Sequence, residues 1–135
     1  ETDIRLEKLY PFSRRLAKVT KMPVARCKPM LGEAVFDMGS GIILDMLQKL
    51  EASNEKPFII LPFDPSLVGR PPYSVVWGKG VGTSMVENKV KSMGLSATKE
   101  QIKEITQAVK SEALLTKSLL AEVDVENIIR SIVQA

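Results

Sequence analysis

The stretch from Leu31 to Leu47, L-G-E-A-V-F-D-M-G-S-G-I-I-L-D-M-L, constrains the fold more than any other part of the chain. A Gly32-Glu33 turn leads to Gly39-Ser40-Gly41, and beyond it Ile42, Ile43, Met46, Leu47 and Leu50 recur at helical spacing. That pattern predicts a helix ending near Glu51 with those side chains as its buried stripe. Ser40 is expected to be its N-cap, its hydroxyl accepting from the amides one turn in. Glycines on both sides of a cap let the backbone approach something closely. A packing contact is the commoner reason for such a pair, and a ligand is the rarer one.

Upstream, Ile4, Leu9, Phe12, Leu16 and Val19 approximate a 3–4 spacing and predict a helix over 3–20. Pro11 either kinks it or sits in the first turn of a helix that starts near Tyr10. Pro23 and Pro29 bracket V-A-R-C-K, an extended linker, because the residue before a proline is pushed away from helix.

Downstream, residues 52–56 read as a polar loop. Phe58-Ile59-Ile60-Leu61, between Pro57 and Pro62, reads as a short or edge strand. Asp64-Pro65-Ser66-Leu67-Val68-Gly69 has a cap, a first-turn proline and a terminal glycine, which predicts one tight helical turn. Tyr73-Ser74-Val75-Val76-Trp77 is a second strand by its β-branched and aromatic content. The two strands can pair, with nothing to set their direction. A helix is expected from Thr83 to Met93, stopped by Gly94. Thr98 with Gln101 forms a capping box for a helix with Ile102, Ile105 and Val109 buried, extending towards Leu114, Leu115 and Leu119. Asp124 is expected to cap a last helix, with Val123 and Ile128 as a hydrophobic staple and Ile129, Ile132 and Val133 inward. The fold class is α+β: helix-rich, with a short two-stranded sheet.

Composition enters by exclusion. The 135 residues contain no histidine, which removes His-ligated metal sites, Ser-His-Asp and Cys-His nucleophiles and any histidine acid or base from this chain. Cys27 stands alone, so no internal disulfide forms and a reducing, cytoplasmic compartment is the default. No apolar run approaches the roughly 20 residues of a membrane helix. The chain opens on Glu1 without a signal-like segment and reads as an excised piece of a longer protein, or as a processed start. The net charge of +3 is concentrated early, in Arg5, Lys8, Arg14, Arg15, Lys18, Lys21, Arg26 and Lys28. Such a stretch suits phosphate or nucleic acid, but a solvated helix face has the same pattern, and no aromatic residues are interleaved to stack bases.

Three constellations could carry chemistry. Gly78-Lys79-Gly80-Val81-Gly82-Thr83 lies between a strand and a helix, where backbone amides can cradle an anion and Lys79 can neutralise it. It matches neither G-x-x-x-x-G-K-[ST] nor G-x-G-x-x-G, and a tight turn needing small residues explains it equally. Glu33, Asp37 and Asp45 match no calcium-loop spacing, so no metal is assigned to them. Met30, Met38, Met46, Met85 and Met93 are expected to fill gaps in packing.

In order along the chain, these segments resemble the region after the catalytic barrel in the 2-isopropylmalate synthase and homocitrate synthase family. V24-A-R-C-K-P-M-L-G-E-A-V-F36 is similar to the family's P-x-x-K-P-I-V-G-E-N-A-F, followed by S40-G-I where the family writes S-G-I-H. L61-P-F-D-P-S-L-V-G69 resembles L-P-I-D-P-x-D-V-G, and W77-G-K-G-V-G-T83 resembles L-G-K-H-S-G-R. The resemblance implies an enzyme that joins the methyl carbon of acetyl-CoA to a 2-oxo acid. It implies a metal-bearing TIM barrel ahead of this region and a domain-swapped homodimer, in which small helical subdomains cover the partner's active site. On that reading residues 1–31 are a helix and linker after the barrel, 32–55 a first accessory subdomain and 56–135 a C-terminal α+β subdomain. Glu33, Ser40, Gly41 and Ile43 would then lie near the partner's pocket, and Ile42, Ile43 and Met46 would form a contact surface completed by a barrel or a second copy.

Three departures stand out, one of them Ala34-Val35 where the family has Asn-Ala. Ile43 occupies the position of the S-G-I-H histidine, and Gly80 that of the histidine in L-G-K-H-S-G. Isoleucine cannot transfer a proton, so this chain is expected to hold no catalytic residue, metal or cofactor of its own. The rival readings are a stand-alone module for an anion or nucleic acid, and a structural dimerisation piece of an inactive paralogue.

Overall fold

A computed structural model describes residues 3–53 and 60–134. The chain divides into two compact units: Glu1–Asp37 with Glu55–Ser74, and Met38–Asn54 with Val75–Ala135. Two short strands, β1 (Asp37–Met38) and β2 (Ser74–Val75), pair as a two-stranded sheet.

In the first unit, a 3-10 turn at Leu6–Lys8 leads into α1 (Leu9–Thr20). Pro11 falls in the first turn of α1, where its missing N–H costs nothing, so the helix begins near Tyr10 and is not kinked. Lys21 ends it in the left-handed conformation at φ 58°. The stripe expected to be buried is not. Ile4, Phe12, Leu16 and Val19 are all largely exposed, and Ser13 is the buried residue of α1. Periodicity reports that a face is apolar; it does not report that the same chain covers it.

The predicted turn at Asp64 is a 3-10 helix, Pro65–Val68. The Asp64 carboxylate accepts from the Ser66 amide at 2.9 Å, Pro65 opens the turn, and Gly69 closes it at φ 72°. A Cβ at Gly69 would lie 1.9 Å from the carbonyl oxygen of Glu7, so both conformation and space demand glycine there. Of the strand expected at 58–61, Phe58 and Ile59 lie outside the described residues. Ile60 and Leu61 sit in a turn and a bend, with Leu61 buried. The strand that pairs with β2 is β1, a stretch to which the sequence reading assigns no element. A two-residue strand is too short to show alternation.

The second unit holds α2 (Gly41–Ala52), α3 (Thr83–Ser92), α4 (Lys99–Thr116) and α5 (Glu122–Val133). Consecutive helices pack on one another, α2 on α3, α3 on α4 and α4 on α5. Leu47, Val86, Ile105, Val109, Val125 and Ile129 are completely buried. The capping box is present in full: Thr98 Oγ1 accepts from the Gln101 amide, and Gln101 Oε1 from the Thr98 amide at 2.9 Å. Gly94, at φ 69°, follows α3 as expected. α4 ends at Thr116, with Lys117 left-handed at φ 53°, so Leu119 lies beyond it and Leu120 bridges to Trp77.

Two helices are rotated from expectation. In α2 the buried positions are Leu44 and Leu47, while Ile42 is 77% exposed and Met46 45%. α5 begins one turn early: Ala121 is its N-cap, Asp124 lies in the first turn, and Val123 is exposed. Asp124 therefore acts through the positive end of the helix dipole and not as a cap. Val125 and Ile129 carry the inner face.

Lys89 of α3 ties α5 in place. Its ammonium donates at 2.6 Å to both Glu122 and Glu126, with its side chain 12% exposed. Burial works against the charge, yet the two carboxylates outweigh it and hold the Lys89 pKa above its ordinary 10.5. The hydrogen bond from Lys89 holds Glu126 below its ordinary 4.5. A depressed carboxylate stabilises the fold above its unfolded pKa and loses that contribution as pH falls through the folded one. Glu126→Gln should accordingly lower the melting temperature at pH 7, and the gap to wild type should close as pH falls below 4.5. Thermal scans of both proteins across that window measure it. In the core, Ile129→Ala should cost about 2–5 kcal/mol. Leu115→Ala, at a 78% exposed position, should stay within about 0.5 kcal/mol by urea titration.

Candidate functional site

Two glycine motifs far apart in sequence meet in the second unit. The pivot Gly39-Ser40-Gly41 enters α2, and the loop Gly78-Lys79-Gly80-Val81-Gly82 enters α3. A Cβ at Gly80 would lie 2.6 Å from the carbonyl oxygen of Gly39, closer than real contacts allow. A Cβ at Gly41 would lie 3.2 Å from both the Gly82 Cα and the Ser84 Oγ. Just upstream, the Val76 amide donates to the Met38 carbonyl at 3.0 Å, and a Cβ at Gly39 would meet the Val76 side chain at 3.2 Å. Gly78 is likewise crowded, its Cβ position 3.0 Å from Leu119.

Gly39 and Gly41 are thus brought against Gly80 and Gly82, while Gly78 meets Leu119. The space that each missing side chain leaves is filled largely by another stretch of the same chain. Ser40 contributes its carbonyl, which accepts from the Leu44 amide at 3.1 Å, and its hydroxyl makes no hydrogen bond among the described residues. The hydroxyl cap expected of it is not formed. Lys79 is exposed, and Ile43, in the first turn of α2, is half-buried. Beyond that turn, Asn88 of α3 donates to the Gln48 Oε1 at 2.8 Å.

Glu33 belongs to the first unit. It opens a 3-10 turn, Glu33–Phe36, and its carboxylate pairs with Arg14 of α1 at 2.5 Å. Its carbonyl, with that of Gly32, accepts from the guanidinium of Arg70. Arg70 is 9% exposed, and its guanidinium carbon stands 4.6 Å from the Tyr10 ring centroid and 5.2 Å from that of Phe36. Its charge is met by two carbonyls and two aromatic faces, and its Nε has no acceptor among the described residues. Gly32 is held as tightly, since a Cβ there would come 2.3 Å from the Arg26 carbonyl oxygen.

Arg70 is the residue that sequence reasoning missed. The signal was present: no other arginine occurs between Arg26 and Arg130, and this one follows a glycine-closed turn. Among the described residues, no group of three or more Asp, Glu or Cys side chains is placed to hold a metal ion. Glu33, Asp37 and Asp45 are engaged instead by Arg14, by Arg26 at 3.5 Å and by Lys49 at 2.7 Å.

Residues 30–117 match the family described as homocitrate synthase post-HMGL domain-like. The chain belongs to this family. Among its curated relatives, (R)-citramalate synthase CimA of Methanocaldococcus jannaschii is 30% identical over 132 residues, 98% of this chain and 25% of that protein. Homocitrate synthase AksA of Methanothermobacter thermautotrophicus is 34% identical over 102 residues, 76% of this chain and 24% of that protein. The 2-isopropylmalate synthase of Rhodopirellula baltica is 31% identical over 113 residues, 84% and 20% of the two chains. The chain thus spans a fifth to a quarter of the length of the relatives it matches. The match takes in Gly32-Glu33, the Gly39–Gly41 pivot, Arg70 and the Gly78–Gly82 loop.

A lysine at position 70 keeps the charge but loses the planar fork that reaches two carbonyls at once. Arg70→Lys should therefore destabilise the chain by about 1.5–3 kcal/mol, the scale of a hydrogen bond to a charged group. Equilibrium urea unfolding followed by tyrosine fluorescence of Tyr10, in the same unit as Arg70, measures it.

Proposed function

We propose that this chain is the accessory region of an acyl-transferring enzyme that condenses acetyl-CoA with a 2-oxo acid. The carrying observation is the match of residues 30–117 to a domain named for its place after the HMGL domain in homocitrate synthase. Citramalate, homocitrate and isopropylmalate synthases among the relatives support the same reading. In it the parent is a cytoplasmic homodimer, and a divalent metal sits in the part of the parent ahead of this chain.

Within such an enzyme this chain would bind and exclude water, and would transfer no proton. The methyl group of acetyl-CoA is weakly acidic, so its deprotonation requires a placed base and a site closed to bulk water. The chain has no histidine, and isoleucine stands at position 43, so in this reading the base belongs to the part of the parent ahead of this chain. What α2 offers is an apolar first turn: Ile42 and Met46 exposed, Ile43 half-buried between them. Laid over a neighbouring subunit's pocket, that turn would displace water and strengthen the electrostatic interactions beneath it.

The full-length protein, incubated with acetyl-CoA and a panel of 2-oxo acids, should release free CoA with at least one of them. A folded, metal-supplied protein that releases none across the panel refutes the reading. Ile42→Glu should leave the melting temperature within about 2 °C of wild type, since an exposed position contributes little to stability. The same variant should lower kcat at least about tenfold if the turn covers the site, each tenfold corresponding to about 1.4 kcal/mol of barrier. Sedimentation of the full-length protein should give a dimer.

A further inference from the structure

A Gly-Ser-Gly sequence ahead of an exposed apolar turn reads naturally as a hinge, because glycine permits large changes of φ and ψ. The geometry points to the opposite: we infer that residues 78–82 form a backbone latch that sets the pose of the α2 first turn. The chain then presents Ile42, Ile43 and Met46 as a fixed apolar knob and not as a swinging flap.

The glycines are the first argument. Gly69 and Gly94 are the glycines at positive φ, and Gly39, Gly41, Gly80 and Gly82 are not among them. The residue type of these four is therefore not a demand of conformation. At 80 it is a demand of space, since a Cβ would come 2.6 Å from the Gly39 carbonyl oxygen, and at 39 and 41 the fit is tight, at 3.2 Å from the Val76 side chain and the Gly82 Cα. The contacts advance in step along the two segments, 38 with 76, 39 with 76 and 80, and 41 with 82 and 84. A pivot packed this closely against residues 76–84 has little room to turn.

The helix beyond the pivot is the second argument. Leu44 and Leu47 are 4% and 0% exposed, and Gln48 is bonded to Asn88 of α3. Swinging α2 outward would expose both leucines and break that bond, while Ile42 and Met46 already face out. The loop at 78–82 also has no room for a side chain at position 80 while Gly39 is in place, so the latch and a bulky residue there exclude each other. The use of the knob as a cover rests on the function proposed above; the latch itself does not.

Amide hydrogen exchange on this chain tests it, comparing wild type with Gly80→Ala and Gly82→Ala. Wild-type amides of Leu44–Leu47 should be protected like those of α3. Gly80→Ala should speed their exchange at least about tenfold, with Val109 of α4 and Ile129 of α5 unchanged, as expected of local opening. Gly82→Ala, whose Cβ would meet only ordinary contacts at 3.6 Å and beyond, should exchange as wild type. Should Gly80→Ala fail to fold, Gly41→Ala is the milder form of the same insult and should reproduce the local pattern. Unprotected α2 amides in the wild type, no response to Gly80→Ala, or faster exchange spread evenly over α2, α4 and α5 would each overturn the latch. The measurement needs no catalysis, so a parent without condensing activity removes the proposed enzyme and leaves the latch standing.

Discussion

Backbone approaching backbone without side chains between is the constraint on which the second unit depends. Where Gly39 and Gly41 run beside Gly80 and Gly82, the entry to α2 and the entry to α3 share one narrow track. Once those entries are set, α2 must lie on α3, and the burial of Leu44, Leu47, Met85 and Val86 follows. Glycine in such a place loses more conformational freedom on folding than other residues do, by roughly 0.5–1 kcal/mol against alanine. That loss is repaid by close packing on both sides of the track.

The first unit is held by a different device. Arg70 reaches from the turn after Gly69 to the carbonyls of Gly32 and Glu33, with Tyr10 and Phe36 against its guanidinium. A buried cation is costly unless its hydrogen-bonding capacity is met. Arginine suits the task because its planar fork spans two acceptors while its faces lie on aromatic rings. One side chain thus joins α1, the linker and the 3-10 turn that precedes it, and so sets where Glu33 stands.

Much of the fold was legible from residues alone, and the legible parts share a physical character. The capping box at Thr98 and Gln101, the Asp64-Pro65 turn, the Gly94 stop and the placing of Pro11 in a first turn are all local: each is satisfied within a few residues. Errors arose where an outcome depended on a distant partner. The spacing in α2 puts Ile42 and Met46 in the core, but α3 lies against the Leu44 and Leu47 side of α2. Val123 was read as a staple, but α5 starts at Glu122 and turns Val125 and Ile129 inward. β1 was missed because two residues carry no period. Of the candidate site, the residue types were legible and their meeting was not.

By itself the sequence determined that histidine chemistry is closed to this chain. Without histidine, and with isoleucine at position 43, it transfers no proton by that route, whatever its shape. It also determined the family, because the order of short motifs survives at about a third identity. Only the tertiary structure decided which apolar face is core and which is presented outward, and that the glycines of 39–41 and 78–82 serve one contact. The physical reason is that a side chain's chemistry is carried by the residue, whereas burial and close approach belong to pairs of segments. The chain brings those pairs together only when it folds.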